Sequence, residues 1–514
     1  MKKGTWIILI FVIVVVLIVF GPGWTLSSIA NSVFNIDPVA WLLGTIALAC
    51  LALSSLVSDS GNDGAGRLFL AFIVFGFAWL LWFIFQGPIM LNSLYKNTGY
   101  IESDLISQNN IRDVPYTVAI TNITGTNPES RTGPGDLDFV EGVWISSIDP
   151  KGVWNAISMP TQGFFLYDPR SKDKVVTISQ EMPYAEGGLF FNSSTYFVRS
   201  KKFFAEFTEI LYVRVNDTDE VVGVMSLIKR RGISRWPYVA NVLVVHGDGQ
   251  YEMLSVIQAE ADPRLVNIAL KPEWLVKKEV EAYGYRYGVI KGVFSKTGRI
   301  QIQKSSVNDE NSPPFHLNTP NGYFWYAPFS PLRSESLTGI AMTSSHDVDG
   351  PVYVWTLPKG QAYVGSDFMV ATIEGKHKQY AWYRETEDSK CGNMTVLEMV
   401  PVVKSENGEN KLYFLGYVST APKSVDVLFY TIIDPETGVV YEDLQTADQV
   451  NFWLQNGEYD LMPIGEYEMT QPAVGTPEVS CVEVSSEGLE EKDTQDLMEI
   501  IFKVIYELGR RADK

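Results

Sequence analysis

The chain has 514 residues, 46% hydrophobic and 20% charged, a balance that excludes general disorder and a length that calls for more than one core. Its net charge is −19. Residues 1–98 hold three acids (Asp37, Asp59, Asp63) and four bases (Lys2, Lys3, Arg67, Lys96), so the remainder carries 57 acids against 37 bases. Such a surface repels phosphate backbones and disfavours nucleic acid as a partner.

Three apolar runs open the chain: Thr5–Phe20, Pro38–Val57 and Leu68–Phe85. None contains a charge, and with its flanks each is long enough to cross a hydrocarbon core of roughly 30 Å. Trp6, Trp24, Trp41, Trp79 and Trp82 lie near the run ends, where indole rings favour the headgroup layer. Asp37-Pro38 reads as a helix start. The "FGPGW" stretch after the first run offers no small-residue cleavage site, which favours an uncleaved helix over a signal peptide. Lys2, Lys3 and Arg67 place the N-terminus and the 58–67 loop in the cytoplasm by the positive-inside rule. Three spans then put everything after about residue 98 outside. Gly44, Ala47 and Ala49 would let the second span pack against other helices.

From Tyr100 onward the pattern is β-rich. Expected strands include "YTVAIT" (Tyr116–Thr121), "LYVRV" (Leu211–Val215), "YVANVLVV" (Tyr238–Val245), "IQIQKS" (Ile300–Ser305) and "KLYFLGYVS" (Lys411–Ser419). Turn signals stand at "HGDGQ" (His246), "SKTGR" (Ser295) and "SENGEN" (Ser405), where Asn407-Gly408 suits a two-residue primed turn. Helices are expected at Lys271–Gly284, with a proline near its start and a terminal glycine, and at Leu444–Gly457. The polar, proline-bearing stretch 304–322 reads as a linker. At the C-terminus Leu497, Ile501, Val504 and Leu508 recur at helical spacing, with bases gathered at the end.

The expected class is therefore α+β and β-rich. Three transmembrane helices (1–98) precede two antiparallel-sheet extramembrane regions (99–303 and 323–480) joined by the 304–322 linker, and an amphipathic helix (487–514) closes the chain. The turn "DPETG" at Asp434 has relatives at Asp149 ("IDPKGVW") and Asp168 ("YDPRSKDKVV"). Proline fixes φ and aspartate caps its own turn, so the recurrence needs no substrate. The succession from Lys411 to Val450, strand–hairpin–helix, resembles the closing unit of PepSY-like or cystatin-like modules. It also resembles parts of an uncharacterised class of multi-span microbial membrane proteins that carry them. The resemblance implies tandem helix-on-sheet units outside the membrane and transfers no functional residue.

Chemistry-bearing material is sparse. Of four histidines, His246, His316 and His377 read as exposed loop residues. His346 stands beside Ser344, Ser345, Asp347 and Asp349, but adjacency along the chain does not build a hydrolase triad. Asp347 and Asp349 before Gly350 hint at a calcium loop that fails the EF-hand pattern at its first and twelfth positions. Asp136, Asp138 and Glu141 after "GPG" have the same standing. There is no Walker A, no G-x-G-x-x-G and no paired C-x-x-C motif; no catalytic residue and no cofactor is assigned. Cys391 and Cys481 are available for a disulfide if the compartment is oxidising. "NGYFWYAPFSPL" has more aromatics than one alternating strand buries, which makes Phe324, Trp325 and Tyr326 candidate partner contacts.

The expectation is a membrane-anchored, non-enzymatic, extracytoplasmic assembly or recognition protein. Its partners are the lipid bilayer and a protein partner or a second copy of itself. The rivals are a cell-envelope hydrolase near His346 and an accessory subunit of a larger membrane complex.

Overall fold

The computed structural model describes residues 64–464 with short internal gaps (128–130, 141, 172, 203–205, 208, 216–219, 297, 305–312, 386–388, 422–424, 457–460 and 462–463), plus residues 43, 46, 47, 50 and 481–483. The first expected span, nearly all of the second, and the helix expected at 487–514 lie outside the described residues.

Helix α1, Gly64–Asn97, covers the third apolar run. It bends by 44° between Leu70–Trp82 and Ile84–Asn97. Pro88 lies inside it, and a proline ring clashes with the carbonyl four residues back, here that of Ile84, so the bend falls where sterics put it. Among the described residues no single helix is long and apolar enough to cross a membrane; the two arms of α1 meet that requirement only together. The first arm exposes Leu70, Ile73, Val74 and Phe77, whereas Leu91 and Leu94 near the end are buried against Ala282 and Tyr285. Asn92 ties the junction by donating to the Tyr285 carbonyl (3.0 Å).

Beyond α1 the chain is β-rich, with several sheets that are antiparallel throughout except for one strand pair. Numbering strands along the chain, β2 (Thr132–Val140), β3 (Val143–Pro150), β4 (Phe164–Tyr167) and β5 (Val175–Ile178) form one meander. A second comprises β6 (Leu211–Val215), β7 (Glu220–Arg231), β8 (Trp236–Val245) and β9 (Tyr251–Ser255). A six-stranded sheet joins β1 (Tyr100–Glu102), β10 (Ile300–Ile302), β11 (Phe315–Thr319), β12 (Gly322–Pro331), β13 (Gly339–Ser344) and β14 (Val352–Thr356). Here β1 pairs parallel with β14, and β10 and β11 share the far edge of β12. The short β15 (Arg384–Glu385) pairs with β16 (Ser389–Cys391), which pairs in turn with β20 (Cys481–Glu483). The three-stranded β17 (Met394–Glu406), β18 (Glu409–Thr420) and β19 (Val427–Ile433) complete the set. Helices α2 (Tyr116–Thr126), α3 (Glu273–Tyr283), α4 (Ser366–Lys376) and α5 (Ala447–Gln455) pack between or beside the sheets.

Local grammar accounts for much of this. Asn407 and Gly408 both take positive φ (52° and 85°) and close the β17–β18 hairpin as a primed turn requires. Thr446 and Gln449 form a reciprocal capping box that starts α5. Asp434 accepts from the Glu436 and Thr437 amides, as a turn-capping aspartate should.

Elsewhere the structure departs from the sequence expectations. "YTVAIT" is not a strand but the first half of α2: Pro115 stands at its N-cap, and Val118, Ala119 and Ile123 share its buried face. Tertiary burial of that face outweighs the β-branched composition. Part of the stretch expected as a linker, Phe315–Thr319, is strand β11, register-paired with Gly322–Tyr326. Phe324, Trp325 and Tyr326 are buried within the chain itself, at 6%, 8% and 0% exposure. Strand β12 is covered on both faces: Phe324 and Tyr326 enter the core that joins α2 to β17–β19, whereas Trp325, Ala327 and Phe329 enter the core under α3. Consecutive aromatics are thereby all accommodated.

Candidate functional site

The polar groups of greatest chemical interest line a cavity of about 310 Å³ between β2, the segment before β6, the start of α3 and the β11–β12 pair. Strand β2 supplies Asp136 and Asp138. A bulge between Pro134 and Leu137 adds one residue relative to β3, and such an extra residue bends the strand and re-aims its side chains. The adjoining Gly135 is required by a close approach: a Cβ there would fall 2.2 Å from Ser147 Oγ and 3.0 Å from Glu186 Oε2. Glu209 enters from the segment before β6 and accepts the backbone amide of Glu273 (2.8 Å) at the first turn of α3. Asp138 accepts from the Tyr212 amide (3.3 Å).

Two cations border the cavity, and each already has a partner. Arg112 Nη2 donates to Glu398 Oε2 at 2.8 Å, with both side chains buried, and Lys277 is paired with Glu273 one turn earlier in α3. Among the described residues, Asp136, Asp138 and Glu209 have no ion-pair partner; Lys277 exerts only a minor pull on Glu209. Aromatic walls complete the site. The Phe139 and Trp144 rings lie 5.1 Å apart, and the Arg112 guanidinium is 5.5 Å from Trp144. Trp144 is 3% exposed and its Nε1–H has no acceptor among the described residues, a state that is unfavourable by about 1–3 kcal/mol.

Burial dominates the protonation of these acids. It pushes the Asp138 carboxyl well above the usual range, with the charges of Glu186, Asp136 and Glu209 adding to it. Glu209 rises to about 7, through burial and then the charge of Glu273. Behind the β2–β3 bulge, Glu186 rises to about 8 through burial and the neighbouring Asp149. Asp149 is raised by burial, although Thr161 Oγ1 (2.5 Å) and the Gly187 amide (2.9 Å) oppose the shift. Strongly shifted groups gathered in a cavity mark a functional site more often than a random surface does.

A pH dependence follows. An unfolded glutamate titrates near 4.5, so between that pH and about 8 the folded chain holds more protons than the unfolded one. Stability from Glu186 and Glu209 is fully present below pH 4.5 and is lost as pH rises through 7 and 8. The thermal midpoint is expected to fall by several degrees between pH 5.5 and 8.5, and Glu186→Gln/Glu209→Gln should flatten that slope without abolishing it. The residual slope belongs in part to His246 and His377. Burial alone would lower both, but the carboxylates beside them, Glu252 and Glu220 for His246 and Asp443 for His377, raise them overall. An identical slope in the double variant contradicts the assignment.

The structure brings together Asp136 and Asp138 from the sequence-derived candidates; Glu141 lies outside the described residues. Glu209, Arg112 and Trp144 carry no motif, and their convergence has no sequence signal. His346 is not aligned with a nucleophile: its ring faces the carbonyls of Glu260 (3.0 Å) and Ile268 (3.4 Å). The serine–histidine contact that does form is Ser345 Oγ to His316 Nε2, 2.9 Å. Ser345 is fully buried, and burial with the Arg112 charge holds His316 down to about 3, so the pair is a neutral structural tie. His316 and His377 are thus buried, contrary to the loop reading, and His246 lies between Glu220 and Glu252. Asp347 and Asp349 sit in the turn after β13, where the Asp347 amide donates to Ser344 Oγ. Among the described residues no three His, Cys, Asp or Glu side chains converge as a metal-binding set. Cys391 is disulfide-bonded, Cys481 is its backbone partner in the β16–β20 register, and Cys50 is free.

Comparison with known proteins adds little to this geometry. No protein-family model matches the chain, and no curated protein matches it. A solved structure described as a GH43 β-1,3-galactosidase with galactodeoxynojirimycin is similar over 68% of this chain and 92% of its own, at 14% identity and a TM-score of 0.18. At that score the likeness carries no argument about fold or activity.

Proposed function

We propose that this chain is a membrane-tethered recognition protein whose extracytoplasmic β-rich region binds a cationic ligand in the acid-lined cavity. The observation that carries the reading is the imbalance of charge at the site. Asp136, Asp138 and Glu209 face a cavity whose own cations are already paired, beside aromatic faces suited to an ammonium or guanidinium group. A lysine- or arginine-bearing peptide segment supplies such a group. The outside location is supported by the disulfide-bonded Cys391, since such bonds persist in oxidising compartments. Tethering is supported by the exposed apolar first arm of α1.

Titration calorimetry of the full-length chain in detergent, with N-acetylated, amidated Gly-Lys-Gly and Gly-Arg-Gly, tests this. Binding is expected with release of protons, because a bound cation lowers the raised carboxyl pKa values. Asp138→Asn and Glu209→Gln should each weaken it about tenfold, the loss of one charge-assisted contact. Absence of binding by both peptides, or unchanged affinity in both variants, overturns the reading.

One observation favours a second reading: a carboxyl that titrates near 7, as Glu209 does, in a cavity it shares with Asp136 and Asp138 is equipped for general acid–base work. That reading predicts cleavage of the bound ligand, visible by mass spectrometry and lost in Glu209→Gln.

A further inference from the structure

A groove of about 1040 Å³ lies where α1 meets the β-rich region. In a chain of net charge −19 it is lined by five cations, Arg286, Lys291, Lys296, Arg299 and Lys359, and one acid, Glu102. None of the five is ion-paired among the described residues. Arg286 is held by neutral groups: Nη1 donates to the carbonyls of Tyr283 (3.1 Å) and Gly298 (3.0 Å), and its guanidinium lies 4.4 Å from the Tyr283 ring and 4.7 Å from that of Tyr287. Arg299 lies 5.2 Å from the Tyr285 ring. These charges are held in place yet not neutralised, the arrangement that favours an anion. Gly298 makes it possible, since a Cβ there would meet the Tyr287 ring at 2.6 Å.

The groove is continuous with α1. Tyr95 of α1 lines it and packs its ring, tilted, against Tyr100 (4.8 Å), which in turn lies 5.6 Å from Tyr283. Beside it, the single π-helical turn Lys291–Ser295 and the residue before it expose Phe294 (72%) and Ile290 (75%). The Phe294 ring sits 6.0 Å from Phe85 of α1. Phe85 and Tyr95 are ten residues apart, about 15 Å along a helix. Apolar tips thus stand beside the apolar helix, tyrosines stand further along it, and cations flank both, the order of groups across a bilayer interface.

We infer that this groove binds the headgroup phosphate of anionic lipids in the bilayer that holds α1, and so fixes the β-rich region against the membrane surface. The inference rests on the tethered reading above. Phe294 and Ile290 enter the acyl boundary, while Lys291, Lys296 and Arg286 take the phosphate.

Native mass spectrometry of the full-length chain, solubilised with equimolar phosphatidylglycerol and phosphatidylcholine, provides the test. The wild-type chain is expected to retain phosphatidylglycerol preferentially. The exposed pair Lys291→Gln/Lys296→Gln should lose about 25-fold in phosphatidylglycerol affinity, about fivefold for each lysine, with phosphatidylcholine adducts unchanged. Inorganic phosphate and sn-glycerol 1-phosphate, run alongside, should compete only weakly. Equal retention of the two lipids, no effect of the lysine variants, or full displacement by free phosphate each overturns the headgroup site. Carbonate extraction of membranes separates the two levels: a chain released by carbonate refutes the tether as well, whereas a chain that stays embedded without lipid preference refutes the groove alone.

Discussion

Glu398→Ala is expected to destabilise the chain by about 4 kcal/mol, within the range for stripping one partner from a buried ion pair. The side chains of Glu398 and Arg112 are 0% and 6% exposed. Glu398 Oε2 holds the guanidinium at 2.8 Å, and its other oxygen accepts the Tyr116 amide (3.0 Å) at the first turn of α2. Its inward aim comes from a bulge between Val396 and Met399, which adds one residue to β17 relative to β18. Alanine leaves the cation buried against Trp144 and Phe139, with no acceptor for its Nε among the described residues, and it also removes the cap from α2. Glu398→Gln keeps the shape and one acceptor, so about half the loss is expected. Thermal unfolding in detergent reads both; a midpoint within 1 °C of wild type for Glu398→Ala means the pair does not anchor α2.

Lys271→Ala should be comparably severe, about 3–5 kcal/mol. Lys271 is fully buried and its Nζ donates to Thr343 Oγ1 (3.0 Å), Gly350 O (3.2 Å) and Glu279 Oε2 (3.4 Å), joining α3 to the six-stranded sheet. Glu279 is raised mainly by burial, and Lys271 is what pulls it back. In Lys271→Met the stem volume is kept but that pull is gone, so the Glu279 carboxyl titrates higher still. A carboxyl raised in the fold stabilises when protonated and loses that contribution as pH rises, so the Lys271→Met defect should grow between pH 5.5 and 8. Lys271→Met/Glu279→Gln should recover most of the loss. If the double variant is no better than the single one, the two side chains are not energetically coupled.

Local signals proved legible wherever one short stretch supplies both the residue and its partner. The Asn407-Gly408 turn, the helix within Leu444–Gly457, the Pro272 start of α3 and the strands from Leu211, Tyr238 and Lys411 all follow from spacing within about a dozen residues. Tyr116–Thr121 and the histidines are different. Whether a β-branched run coils into α2 depends on Glu398, 282 positions away. Whether His316 is wet or dry depends on Ser345 and on the rings of Tyr323 and Trp325 packed on it.

The candidate site divides along the same line. Asp136 and Asp138 are conspicuous in the chain after their Gly-Pro-Gly run, but the bulge between Pro134 and Leu137 that aims them is set by the pairing with β3. Their partners come from a segment some 70 residues onward, from α3 and from β12, so no window of sequence contains the cavity.

What the amino-acid order determined by itself is periodicity, turn chemistry and the placement of grease and charge along the chain. Each of these is a property of neighbours, acting over a few bonds. Only the tertiary structure decided which strand lies between two cores, and so why Phe324, Trp325 and Tyr326 all turn inward. It also decided which carboxyls share a desolvated space, where burial pushes Asp138 and Glu209 above the usual carboxylate range. Burial depends on everything a residue meets in three dimensions, and protonation follows burial.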